Sequence, residues 1–103
     1  MNKQDLQAKL KDFDIVSHYS TTAITIVEDM LEESQNIDEL YELSWEEVDR
    51  EFIYYSDAFN YLMDNNITDF EDAFKEFGAT NVCGIAYYYC LNEVNQIISY
   101  LGK

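Results

Sequence analysis

Apolar side chains recur every three or four residues along the C-terminal fifth of this chain, and this pattern strongly constrains the fold. Such spacing places side chains on one face of an α-helix. It predicts a long amphipathic helix that begins near Thr80 or Asn81 and ends before Gly102. Its apolar members are Val82, Ile85, Ala86, Tyr89, Cys90, Val94, Ile97, Ile98 and Leu101.

A second apolar stripe runs from residue 14 to residue 33 and predicts another amphipathic helix. Its members are Ile15, Val16, Tyr19, Ala23, Ile26, Val27, Met30 and Leu31. Residues 21–27 are rich in β-branched side chains, so a strand is the alternative there. We expect the two stripes to meet in the core, which would contain Ile15, Tyr19, Ile26, Val27, Ile85, Tyr89, Val94, Ile97 and Ile98.

Capping signals predict where shorter helices begin. Residues 3–12 are expected to form a short N-terminal helix that holds three of the six basic residues. Asn36 and Ser44 are predicted N-caps, because their side chains can accept hydrogen bonds from first-turn amides. The spacing from Ser44 to Glu47 is that of a capping box, in which two amides are satisfied reciprocally.

A second capping box is predicted from Thr68 to Glu71, and Gly78 is expected to end the following helix near Phe77 with a positive φ. The chain has no proline and only three glycines, and no linker or repeat is visible. The sequence therefore predicts one all-α domain over residues 1–103. It would be a compact domain of five or six mostly short helices, with a longer amphipathic C-terminal helix.

The chain has 21 acidic and 6 basic residues, which gives a formal net charge of −15. A small domain stays soluble with a net charge of about 2–8 in magnitude. The excess charge repels itself and destabilises the compact state. Halophilic adaptation also produces acidic surfaces, but the content of Ile, Tyr, Phe and Asn does not fit that origin. The charge therefore indicates a partner rich in Lys and Arg.

The same composition argues against several other roles. Only Arg50 and Lys75 lie between residues 12 and 102, so direct binding to nucleic-acid phosphates is not expected. No stretch approaches the roughly 20 apolar residues that span a membrane, and the N-terminus lacks an apolar signal segment. We therefore expect a soluble protein in the host cytoplasm.

No catalytic residue, metal ligand or cofactor is predicted. His18 is the only histidine, and it is expected to be an exposed or capped side chain at a helix start. Cys83 and Cys90 are seven residues apart in one predicted helix, a Cα separation of about 10.5 Å. Because a disulfide needs less than about 7 Å, we expect two reduced core thiols.

Residues 28–76, hereafter the acidic segment, contain 17 acids and two bases. Acids at i,i+3 and i,i+4 lie about 5–6 Å apart at Cβ, comparable to successive phosphates on a nucleic-acid strand. Such like-charged pairs weaken a helix, so stability alone does not explain them. The alternative is a solvated acidic face. The predicted target-binding residues are Glu28, Asp29, Glu32, Glu33, Asp38, Glu39, Glu42, Glu46, Glu47, Glu51, Asp57 and Asp64.

Tyrosines form the second feature of interest. The acidic segment contains Tyr54, Tyr55, Phe59 and Tyr61, and residues 87–89 are three consecutive tyrosines. Three consecutive helical residues cover about 200° of arc, so at least one should be partly exposed while Tyr89 faces the core. Tyrosine suits interfaces because its rigid ring carries a polar tip, although a core position is the alternative for each.

The stretch EFIYYSDAFNYL from residue 51, the acidic helix over residues 68–77 and the segment IAYY from residue 85 resemble small acidic phage anti-defence proteins. The similarity covers residues 51–90 and includes Ocr-like antirestriction DNA mimics and proteins of the anti-CRISPR type. It implies a homodimer that blocks the DNA groove of a restriction enzyme or a Cas effector. This chain lacks a long acidic C-terminal tail, since only Glu93 follows Glu76, so mimicry would come from the middle of the chain.

The leading hypothesis is a non-enzymatic inhibitor that occupies the nucleic-acid-binding site of a host defence nuclease. The alternative is an acidic helical adaptor that binds a basic protein surface without displacing nucleic acid. A third hypothesis is an unrecognised hydrolase or metal-dependent enzyme. Competition with nucleic acid separates the first two, because only a mimic is excluded by DNA or RNA.

Overall fold

Six α-helices and one π-helical turn form this protein in a computed structural model that describes residues 3–34 and 36–103. They are α1 (Lys3–Leu10), α2 (Phe13–His18), α3 (Thr21–Glu33), α4 (Ile37–Glu51), α5 (Tyr55–Asp64), the π-helical turn (Ala73–Phe77) and α6 (Val82–Leu101). No strand occurs within the described ranges. The all-α prediction is confirmed, and residues 21–27 belong to α3 rather than to a strand.

The long C-terminal helix α6 is the centre of the fold. It packs against α1, α3, α4, α5 and the π-helical turn. Oδ1 of Asn81 accepts a hydrogen bond from the amide of Gly84 (2.8 Å) and caps the helix start, and Gly102 is the C-cap. The predicted bounds of this helix are confirmed. Its buried residues are Ile85, Ala86, Cys90, Val94, Ile97, Ile98 and Leu101.

The predicted core is confirmed except at two tyrosines. Ile15, Ile26, Val27, Ile85, Val94, Ile97 and Ile98 are buried. Tyr19 and Tyr89 are partly buried against this core. The Cα radius of gyration is 13.5 Å, close to the ~13 Å expected for a compact domain of about 100 residues. The helices therefore form one compact body.

The single helix predicted over residues 14–33 is wrong, because the chain breaks between α2 and α3. Tyr19 is extended, and the hydroxyl of Ser20 accepts a hydrogen bond from the amide of Ala23 (3.1 Å). This side-chain cap starts a new helix, which the apolar spacing alone could not reveal. Val16, predicted on the apolar stripe, is half-exposed as a result of its place in the short α2.

Ser44 is not the N-cap that its spacing predicts. Asn36 caps α4, its Oδ1 accepting from the amide of Asp38 (2.9 Å), and the helix then runs unbroken past Ser44. Ser44 is buried on the same face as Leu40 and Val48. Its hydroxyl donates to the carbonyl of Tyr41 (2.8 Å).

In the segment before α6, the helix end predicted at Gly78 is confirmed, but the cap predicted at Thr68 is wrong. Gly78 ends the π-helical turn in the left-handed region with φ 69°, as predicted. The capping side chain upstream is Asp69 rather than Thr68, since Oδ1 of Asp69 accepts from the amide of Glu71 (3.0 Å). An Asp carboxylate is the stronger acceptor and takes this amide two residues on.

Candidate interaction surface

The twelve predicted target-binding acids are distributed over three consecutive helices. The α3 helix carries Glu28, Asp29, Glu32 and Glu33, the α4 helix carries Asp38, Glu39, Glu42, Glu46, Glu47 and Glu51, and the α5 helix carries Asp57 and Asp64. All are exposed except Glu46 and Glu47, which are partly buried, although the carboxyl of the exposed Glu51 is itself partly shielded from solvent. Because α3 packs against α4, the largest two groups of carboxylates belong to one pair of adjoining helices.

Part of this charge is already neutralised within the chain. The guanidinium of Arg50 contacts Glu46 (Nη2 to Oε1, 2.8 Å) and Glu47 (Nη1 to Oε1, 3.0 Å). The ammonium group of Lys3 lies 3.6 Å from Oε2 of Glu32. Surface pairs of this kind contribute little to stability, but each offsets part of the negative charge of its acid. These three acids are therefore weaker contributors to the field than their exposed neighbours.

Acids from three helices influence one another around Glu51. Partial burial raises the pKa of the Glu51 carboxyl, and the nearby charges of Asp57 and Asp29 raise it further. Glu51 ends α4, while Asp29 lies on α3 and Asp57 on α5. The fold therefore concentrates negative charge where these helices approach, an arrangement that spacing along the sequence could not predict.

Of Tyr54, Tyr55, Phe59 and Tyr61 in the acidic segment, one lies in the core and three are exposed. Tyr61 is buried, and its hydroxyl donates to Oε1 of Glu93 (2.6 Å). Tyr54, Tyr55 and Phe59 are exposed. Five further exposed apolar residues of the acidic segment were not predicted from the sequence: Tyr41, Trp45, Phe74, Ile53 and Met63. The four-residue steps from Tyr55 to Phe59 to Met63 could have revealed the last of these.

The three tyrosines at 87–89 are all partly buried, so the expectation of a partly exposed member is met. The Tyr89 hydroxyl donates to the carbonyl of Asp69 (2.6 Å), and the Tyr88 hydroxyl donates to Glu76. The ring of Phe77 packs against those of Tyr87 and Tyr88, with centroids 5.5 and 5.8 Å apart. These tyrosines hold the π-helical turn against α6, which gives them a structural role.

His18 and the two cysteines do not come together into a reactive group. His18 lies at the end of α2 rather than at a helix start, exposed, with Nδ1 in hydrogen-bond contact with the carbonyl of Asp14 (2.8 Å). Cys90 is a buried free thiol, and burial raises its pKa far above the usual range. Cys83 is a half-buried free thiol on the same helix. A thiol with a raised pKa is a poor nucleophile, because the thiolate is the reactive form.

Other kinds of site are not evident in the described part of the chain. Over residues 3–34 and 36–103, no group of three or more His, Cys, Asp or Glu side chains could hold a metal ion. Every buried side-chain nitrogen or oxygen in the same ranges has a hydrogen-bond partner. None of the described helices has the length and apolar character needed to cross a membrane.

No family model matches this chain, and neither a curated protein nor a solved structure was found that matches it. The resemblance of residues 51–90 to acidic phage proteins therefore stays a prediction.

Proposed function

We propose that this protein is an anti-defence inhibitor of a phage or mobile element. It would occupy the nucleic-acid-binding site of a host nuclease, which would be either a Cas effector or a restriction enzyme. Its carboxylates would lie where the phosphates of the nucleic acid bind. The observation that carries the proposal is the acidic segment, which holds a charge equal to the whole net charge of −15. Ten of the twelve proposed acids are exposed on α3, α4 and α5.

The mechanism requires binding and no chemistry. A nuclease channel is lined with Lys and Arg that neutralise phosphates, and the same side chains can pair with closely spaced carboxylates. The negative field would steer the protein to the channel and raise its association rate at low ionic strength. Burial of the basic residues under the inhibitor would then exclude the nucleic acid.

Charge reversal tests which acids contact the target. Glu28 and Glu42 are exposed and lie within α3 and α4, so Glu28→Lys combined with Glu42→Lys should weaken target binding with little change in folding. The matched control is Asp5→Lys combined with Asp14→Lys, which changes the net charge equally outside the acidic segment. Asp12 is unsuitable as a control because its carboxylate caps α2.

The target would first be captured from a host lysate on the immobilised protein and eluted with a salt gradient. Binding measured by calorimetry should fall in a graded way for the Glu28/Glu42 variant and steeply between about 50 and about 200 mM salt. Equal losses in the control variant would show that only total charge matters. Thermal unfolding of both variants checks that each is folded.

Competition distinguishes mimicry from the adaptor alternative. The captured nuclease is titrated with a labelled oligonucleotide and with this protein in the same experiment. A mimic must raise the apparent Kd of the oligonucleotide in proportion to its own concentration. If both ligands bind at once with unchanged affinities, mimicry is wrong and the protein is an acidic adaptor that uses the same face.

A further inference from the structure

The exposed side of α5 carries three large apolar side chains in a line. Tyr55, Phe59 and Met63 retain 63%, 44% and 56% of their accessible surface. Residues four and eight positions apart lie along one side of an α-helix, and these three are named here the α5 stripe. The rings of Tyr55 and Phe59 stack nearly parallel, with centroids 6.0 Å apart and planes at 13°. The buried side of α5 is formed by other residues, Ala58, Tyr61 and Leu62.

A surface helix that only packs against the core usually carries polar side chains on its solvent side, not a line of large apolar ones. Scattered apolar residues are normal on protein surfaces, whereas contiguous ones mark interaction sites. Ile53 and Tyr54, directly before α5, are also exposed and extend the apolar run. Aromatic residues and methionine are the side chains enriched in protein interfaces, and methionine adapts to differently shaped partners. The α5 stripe therefore has the composition of a docking face.

The charge around the α5 stripe specifies the partner. Residues 51–74 contain six acids and no Lys or Arg, and Asp57 and Asp64 lie on α5 itself. The bases that bracket this range are engaged, since Arg50 pairs with Glu46 and Lys75 with Glu71 (2.6 Å). A partner that covers the stripe must therefore bring positive charge to its borders. A second copy of this chain brings the same acids, and like charges across an interface disfavour association.

The length of the stripe matches a helix. Eight residues of α-helix rise about 12 Å, which equals about two turns of a partner helix laid alongside. An amphipathic helix presents its anchors at i, i+3, i+4 and i+7, a repeat that can follow the line from Tyr55 to Met63. We propose that the α5 stripe docks an amphipathic helix of a partner protein whose apolar side is bordered by Lys and Arg.

A synthetic peptide tests this directly with the full chain. The probe is a labelled peptide of about 18 residues made of Leu, Lys and Ala, with Leu in one helical stripe and Lys on both borders. A scrambled peptide of identical composition has the same charge but no stripe. By fluorescence anisotropy, the striped peptide should bind at least about tenfold more tightly, because only it can bury the apolar anchors. The difference should persist at about 500 mM salt, where exposed charges are screened.

Matched variants locate the binding site. Phe59→Ala combined with Met63→Ala should remove most of the preference for the striped peptide. The control is Phe13→Ala combined with Val16→Ala, which truncates exposed apolar residues on α2, outside the acidic segment. The proposal is overturned if both peptides bind equally, or if the control variant loses the preference as well.

Analytical ultracentrifugation of the unliganded protein tests whether a second copy of the chain occupies the α5 stripe instead. A homodimer that dissociates in the Phe59/Met63 variant would show that a second copy occupies the stripe, which contradicts the proposal. This inference is independent of the proposed function, since a helix can dock on α5 whether or not its protein binds nucleic acid. Failure of the peptide test with intact nucleic-acid competition removes this inference alone.

Discussion

Glu93 has a different role from the acids of the acidic segment. Its Oε2 accepts a hydrogen bond from the amide of Ser20 (2.7 Å), and its Oε1 accepts one from the hydroxyl of Tyr61 (2.6 Å). One carboxylate thereby joins α6 to the start of α3 and to α5. Its partners lie 73 and 32 residues away in sequence. No local pattern could reveal this role, because it depends on helices that meet only in the folded chain.

Glu51 should make stability depend on pH. Its pKa is raised in the folded chain, first by partial burial and then by Asp57 and Asp29, so ionisation is less favourable there than in the unfolded chain. The free energy of unfolding should therefore fall as the pH rises through the pKa of Glu51, above its ordinary value of 4.5. Glu51→Gln removes this penalty and should be more stable than the wild type at about pH 7, with the difference shrinking toward about pH 4.

Urea unfolding of both proteins across this pH range measures the difference. Glu33→Gln on α3 is the control, because it removes one negative charge from the acidic segment at another position. An identical gain in that variant would mean that total charge, and not the surroundings of Glu51, sets the pH dependence.

Among the helices, the sequence predicted the boundaries that depend on local capping and apolar spacing. The bounds of α6 followed from its apolar stripe with Asn81 before it and Gly102 after it, and Asn36 capped α4 as expected. The break at Ser20 was missed because the apolar period continues through it. The cap predicted at Ser44 is wrong because the spacing from Ser44 to Glu47 is the same whether the serine begins a helix or lies buried within one, as it does in α4. For the surface, the acidic residues were evident, but their approach around Glu51 depends on packing between helices.

The π-helical turn ends at a glycine in the left-handed conformation. Gly78 adopts φ 69°, and a Cβ there would meet no atom within 4 Å. Gly78→Ala should therefore destabilise the protein by about 1 kcal/mol through backbone strain alone, measured by urea unfolding. Gly102→Ala is the control, because Gly102 has φ −79° and a Cβ there would make ordinary contacts, the nearest at 3.5 Å. Equal losses in the two variants would show that the left-handed conformation is not the cause.

The net charge destabilises the fold, whereas in the proposed function it favours binding to a basic partner. The net charge of −15 repels itself in the compact state. Salt screens that repulsion, and it also weakens the few ion pairs of Arg50 and Lys75, but exposed pairs contribute only ~0–1 kcal/mol. The repulsion therefore dominates the response of folding to salt.

We expect the Tm to rise as salt increases from about 20 to about 500 mM, while the affinity for a basic partner falls over the same range. Differential scanning fluorimetry measures the Tm. The Glu28→Lys, Glu42→Lys variant has less negative charge and should show a shallower rise. A Tm that stays constant or falls with salt would contradict the importance of self-repulsion.

The central position of α6 also affects when the chain can fold during its synthesis. The α1, α3, α4 and α5 helices each bury part of their surface against a helix whose residues are made after all of theirs. Until α6 is made, the part of each apolar face that packs against it stays uncovered, and such surfaces are prone to aggregate. We therefore expect the domain to fold only after the whole of α6, up to residue 101, has been synthesised. A truncation anywhere within α6 should leave the earlier helices without a stable fold.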